Sequence, residues 1–158
     1  MRCIPIGTIH SPFSDPSDVP IQPIGAAGVE GTIEILPAFI EGLEDLEGFS
    51  HIFLLYHFHL ARRSSLTVRP FLDDKPHGVF STRAPTRPNP IGLSLVRLLR
   101  REGAVLWVSD IDVVDGTPLL DIKPHVPEFD ARETTRIGWL AGKTHLARGA
   151  RSDDRFSR

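Results

Sequence analysis

The chain has 158 residues, 41% hydrophobic and 24% charged, with a formal net charge of −2, which is the size of one domain built on one core. No apolar run approaches the roughly 20 residues of a membrane span, and the opening MRCIPIGTIH lacks the charged start and long apolar stretch of a secretory signal, so a cytoplasmic location is expected. The slightly negative charge also argues against a bulk nucleic-acid binder.

In chain order, CIPIGTIH reads as a first strand, which would bury the lone Cys3 as an inert thiol. The Pro-rich SPFSDPSDVPIQPIGAAG that follows is too long for a simple connection and is a candidate functional loop. VEGTIEIL (29–36) alternates Val29, Gly31, Ile33 and Ile35 against charged Glu30 and Glu34, as a half-buried strand does. AFIEGLEDL is a short helical turn at best, weakened by Gly42. HIFLLYHFHL (51–60) is apolar on both faces, as a central strand is, and LTVRP and GVFST are further short strands around a charged loop. IGLSLVRLLR and AVLWVSDIDVV, joined by REG, form a hairpin. DGTPLLDIKPHVPEF continues as a turn and a Pro-broken extended segment, ARETTRIGWLAGK as a short terminal helix, and ARGARSDDRFSR as a frayed end without apolar period. The sum is a mainly β domain, a compact barrel or strongly curved sheet with short helical segments.

Charge is unevenly distributed. Residues 1–61 hold one Lys/Arg against eight Asp/Glu, whereas residues 62–101 hold nine against two. Such an excess either forms a positive face suited to phosphate or is spread as solvated arginines around the fold. Within it lies STRAPTRPNPIGLSLV (81–96). Pro85, Pro88 and Pro90 fix their own φ and push Ala84, Arg87 and Asn89 toward extended geometry, so Arg83, Arg87 and Asn89 are presented from a stiff backbone. The two guanidinium forks suit a carboxylate or a phosphate, and Gly92 permits close approach to the backbone. Asp110, Asp112, Asp115 and Asp121 form a carboxylate cluster that is either a plain turn or a group able to bind hydroxyls, attract a cation or accept a proton. His51, His57 and His59 share parity on their strand. Read as a metal pair, His57 and His59 suggest a cupin-like enzyme, but no Glu follows at the expected spacing. Gly-rich dinucleotide, Walker, Cys-x-x-Cys and Gly-x-Ser-x-Gly motifs are absent.

FSHIFLLYHFH, GVFSTRAPTRPNPIGLSLVRL and DVVDGTPLLDIKPHVPEFD together closely resemble the TrmO family, also called TsaA-like or VirR-like, over about residues 3–142. The resemblance implies an S-adenosylmethionine-dependent tRNA methyltransferase that converts N6-threonylcarbamoyladenosine beside the anticodon to its N6-methyl form. It implies a non-Rossmann, single-sheet β-barrel over residues 1–145 and a homodimer with the cofactor near the subunit interface; composition makes 146–158 a polar disordered tail. By position, the cofactor contacts are Gln22, Pro23, Ile24, His59, Leu60, Arg83, Leu93, Asp112, Val113, Val114 and Asp115. Arg87, Asn89 and Lys123 are assigned to the tRNA substrate, and Asp115, His59 and His125 are candidate bases, with no metal required. Ile21 stands where many members have Arg, His125 where Tyr is usual, and the Asp-Pro-Arg-Pro motif of a further domain in longer bacterial relatives is missing. A noncatalytic S-adenosylmethionine- or RNA-binding module is the main alternative.

Overall fold

The computed structural model describes residues 2–156 and carries six strands closed into an antiparallel barrel. In chain order these are β1 (Gly7–His10), β2 (Glu30–Ile35), β3 (His51–His57), β6 (Ile91–Glu102), β7 (Val105–Ser109) and β8 (Thr117–Pro124). Around the barrel they run β1-β2-β7-β6-β3-β8, with β8 closing back on β1. A separate two-stranded ladder joins β4 (Thr67–Val68) to β5 (His77–Gly78), and the one α-helical turn among the described residues is α1 (Pro127–Asp130).

Alternation along each stave decides what fills the interior. Ile33 and Ile35 of β2, Ile52, Leu54 and Tyr56 of β3, Val96 and Leu98 of β6, and Leu106 and Val108 of β7 point inward and are buried. A barrel of this size has an interior just wide enough for side chains, so it is a packed core and not a channel. Register shifts at Leu55/Tyr56 and Leu98/Arg100 supply the extra bend that closure requires. A smaller core of Val68, Val79, Ala84 and Phe156 lies under the ladder.

The barrel and the β6–β7 hairpin are as expected, and several local expectations are corrected. Cys3 is exposed and lies before β1: Pro5 has no amide hydrogen, so pairing begins when Ile6 donates to the Leu119 carbonyl. GVFST is strand only to Gly78, because Val79–Ser81 curl into a 3₁₀ turn that buries Val79. The Pro-broken DGTPLLDIKP is a full stave, β8, paired on both edges. The expected helix in ARETTRIGWLAGK is a single 3₁₀ turn, Gly138–Leu140, because Gly138 and Gly142 adopt left-handed backbone (φ 59° and 75°). Residues 146–156, expected to be disordered, lie against the rest of the chain: Ala147 and Phe156 are buried, and Ser152 N–H donates to the Val19 carbonyl. These two buried apolar side chains are joined by polar contacts, among them Arg155 donating to the Pro70 carbonyl and lying over Phe71. Residues 157 and 158 of that expected tail, and residue 1 of the expected 1–145 domain, lie outside the described residues.

Candidate functional site

One end of the barrel opens into a cavity of about 1170 Å³. Four segments far apart in sequence build it. The Pro-rich loop contributes Gln22, Pro23 and Ile24, where Pro23 starts a 3₁₀ turn through Ala26. The end of β3 and its turn contribute Tyr56, Phe58, His59 and Leu60; the stiff loop and start of β6 contribute Arg83, Arg87, Asn89, Gly92 and Leu93; and the segment after β7 contributes Asp112, Val113 and Val114. Asp110 aims this last segment. It takes left-handed backbone (φ 70°), tolerable for Asp, and its carboxylate accepts the Gly28 amide at 2.7 Å, tying the strand end to the Pro-rich loop.

Asp112 is the charged group set deepest in this wall. Ser94 Oγ on β6 donates to its Oδ1 at 2.5 Å and lies 3.0 Å from the Tyr56 hydroxyl. Ser94 has one hydroxyl hydrogen and gives it to Asp112, so Tyr56 donates to Ser94. Burial pushes the Asp112 carboxyl up to about 7, opposed by the Ser94 hydrogen bond and the positive charge of Arg83. Burial first, and the Asp112 charge second, also raise the Tyr56 phenol above its ordinary value. Because the folded protein holds the Asp112 proton more tightly than the unfolded chain does, this carboxyl lowers stability as pH rises from about 4 to about 7.

The two arginines of the stiff loop have different tasks. Arg83 Nη1 reaches across to Gln22 Oε1 at 2.7 Å and stays exposed at the rim. Arg87 Nη1 turns back onto the carbonyls of Thr82 and Ala84, at 3.3 and 3.4 Å, and braces its own loop. The basic segment as a whole is not one face. Arg100 pairs with Glu102 and lies over Trp107, and Arg101 donates to the Leu43 carbonyl, both at the far end of β6 from the stiff loop.

Other expected site residues lie elsewhere. Asp115 accepts from the Ser11 amide and contacts His10 Nδ1, each at 3.2 Å, and does not line the cavity. Lys123 pairs with Asp121 at 2.7 Å, and His125 packs edge-on against Phe53; neither lines the cavity. The aspartate cluster therefore disperses to different partners. The shared face expected for His51, His57 and His59 ends at His57, because β3 ends there and His59 sits on the turn. Partial burial lowers the His59 imidazole below its ordinary value. Among the described residues no three His, Cys, Asp or Glu side chains gather to hold a metal ion.

Two parts of the site had no sequence signal. Tyr56 and Ser94 look like ordinary strand residues until the barrel brings their hydroxyls together. The second is a strap formed by residues 139–156. Trp139 Nε1 donates to the Ser81 carbonyl at 2.8 Å and its ring stacks on His77, and Phe156 lies edge-on to Phe71 at 5.0 Å. At its far end, Ser152 and Arg151 pair with Val19 and Pro20. The strap thus joins the loop of residues 70–81 to the Pro-rich loop, and both line the cavity. Hydrogen bonds from Lys143 and His77 hold Asp73 below the usual carboxylate range, so the clasp keeps its charge at neutral pH and weakens only in strong acid. Lys143→Ala is expected to speed hydrogen exchange over residues 139–147 several-fold while leaving the barrel strands protected. Uniform protection across both regions would rule out this clasp.

Residues 8–131 match the family of the tRNA-methyltransferase O N-terminal domain. The chain is 59% identical over 152 residues to a probable S-adenosyl-L-methionine-binding protein of Pyrococcus abyssi, covering 96% of this chain and 83% of that one. It is 38% identical over 134 residues to the human tRNA (adenine(37)-N6)-methyltransferase, covering 80% of this chain and 30% of that protein. A crystal structure of TrmO from Pseudomonas aeruginosa superposes with a TM-score of 0.73 at 45% identity, covering 88% of this chain and 62% of that one. The chain thus spans less than two thirds of the length of the TrmO and human proteins.

Proposed function

Because the chain belongs to the family of the tRNA-methyltransferase O N-terminal domain, we propose that it is an S-adenosylmethionine-dependent tRNA methyltransferase. Its substrate is N6-threonylcarbamoyladenosine at the position that the human relative's name gives as 37, and its product is the N6-methyl form. The observation that carries this reading is convergence. Of the eleven cofactor contacts implied by resemblance, ten line one cavity: Gln22, Pro23, Ile24, His59, Leu60, Arg83, Leu93, Asp112, Val113 and Val114.

The chemistry of the lining fits the cofactor. Ile24, Leu60, Leu93, Val113 and Val114 are apolar walls for an adenosine, Arg83 is a fork for a carboxylate, and Asp112 is a partner for positive charge. When bound, S-adenosylmethionine supplies an already activated methyl group. The protein's task is alignment and proton removal. The cavity exceeds the roughly 300–1,000 Å³ of a site for one small ligand, leaving room for a flipped-out nucleoside as well. Asn89, exposed at the rim, serves the tRNA, whereas Arg87 acts by stiffening the loop. The homodimer interface in this reading lies beside the cavity, where half-exposed Ile91 and Leu93 line it from the outer side of β6. The protein acts in the cytoplasm, where tRNA is matured.

The test is tRNA nucleoside mass spectrometry after incubation of purified protein and S-adenosylmethionine with threonylcarbamoylated tRNA. The expected result is a gain of one methyl on the modified adenosine, with stem-loop affinity falling steeply as salt rises. Cofactor binding without methyl transfer would favour a noncatalytic binding module instead.

A further inference from the structure

We propose that Asp112 accepts the N6 proton during methyl transfer, with Ser94 and Tyr56 as the positioning residues behind it. This rests on the reading of the chain as an N6-adenosine methyltransferase.

The N6 nitrogen of a threonylcarbamoylated adenosine shares its lone pair with the purine ring and with the adjacent carbonyl, so it is a poor nucleophile while its hydrogen remains. As the bond from N6 to the methyl carbon forms and that carbon's bond to sulfur breaks, the N6 proton passes to the Asp112 carboxylate. The carboxyl later releases it to water. Charge balances: a sulfonium becomes a neutral thioether, and one proton leaves.

Three observations select Asp112. It lines the cavity, whereas Asp115 and His125 do not. It is oriented from behind by the buried chain Tyr56 to Ser94 to Asp112, at 3.0 and 2.5 Å, the arrangement that holds a proton acceptor in one geometry. His59 also lines the cavity, but it sits exposed on a turn outside this chain of hydroxyls. The charged and titratable groups facing Asp112 are Arg83 from the stiff loop and Tyr56 from β3. A carboxyl raised to about 7 is a stronger base than an ordinary one and is still ionised in a useful fraction at neutral pH.

The experiment compares the unaltered protein with Asp112→Asn and Ser94→Ala, using S-adenosylmethionine and a threonylcarbamoylated anticodon stem-loop. It measures single-turnover rate against pH, cofactor affinity by calorimetry, and melting temperature. The unaltered rate should rise with pH and level off above about 7. Asp112→Asn should lose about a hundredfold or more in rate, well beyond whatever it loses in cofactor affinity as a contact to positive charge, and melt at a higher temperature at pH 8 because a buried charge is gone. Ser94→Ala removes a hydrogen bond that favours the ionised carboxyl, so its rate profile should shift to higher pH. Three results would overturn the inference alone: full rate in Asp112→Asn, equal losses of rate and affinity, as a mere cofactor contact would give, or an unmoved profile in Ser94→Ala. No transfer by the unaltered protein removes the underlying reading as well.

Discussion

Gly92→Ala is expected to destabilise the protein by about 1–3 kcal/mol and to take apart the hydroxyl chain behind Asp112. A Cβ at position 92 would fall 2.8 Å from Cδ2 of Tyr56 and closer still to Cε2 and Cζ. The ring has nowhere to go. Tyr56 is 5% exposed, packs edge-on against Phe58 at 5.4 Å, and lies on a strand paired to β6 on one side and β8 on the other. The displacement is readable because Tyr56 is the sole tyrosine in the chain. Its buried phenol titrates above the ordinary range, so in the variant the alkaline titration of phenolate absorbance should move down toward the value of free tyrosine. Unchanged melting and titration curves would mean that Tyr56 is not held by this close approach.

Arg83→Ala is expected to weaken S-adenosylmethionine binding by about ten- to a hundredfold, the effect of losing one or two hydrogen bonds made by a charged donor. The residue links two walls of the cavity through Gln22 and is the cation whose charge lowers the Asp112 carboxyl. Its removal should therefore also push that carboxyl further up and shift the rate profile toward higher pH. Arg83→Lys should recover little of the affinity, since a single ammonium cannot make the paired bonds of the guanidinium fork. Arg87→Ala is the control: its guanidinium serves the Thr82 and Ala84 carbonyls, so its effect should appear in loop stability before it appears in affinity. Calorimetry on the four proteins separates these cases, and equal cofactor affinity in Arg83→Ala would remove Arg83 from the site.

Much of this site was legible in one dimension because it rests on local backbone rules. Prolines at 85, 88 and 90 stiffen the loop wherever it lies, and the glycine that Tyr56 requires at position 92 stands next to them. The aspartate cluster misled for the same local reason. Proximity in sequence suggested one shared task for Asp110, Asp112, Asp115 and Asp121, but the left-handed turn at Asp110, the irregular segment up to Gly116 and the new strand β8 send each to a different partner. Asp115, named as a candidate base, faces Ser11 and His10; Asp112, three residues earlier, faces the cavity. The C-terminal strap was missed because its burial depends on isolated residues such as Phe156, and a single apolar side chain has no period to detect.

By itself the sequence determined the strand-rich class, the β6–β7 hairpin, the stiff arginine loop and the segments that resemble a known family, since each follows from neighbours within a dozen residues. Only the tertiary structure decided which hydroxyl meets which carboxylate, which arginine remains at the rim and which braces its loop, and that residues 139–156 close the wall. Those outcomes depend on barrel closure, which brings Tyr56, Ser94 and Asp112 from three different segments to one end and gives the carboxyl its burial. A carboxyl's proton affinity is set by its surroundings in space, and no local pattern along the chain encodes them.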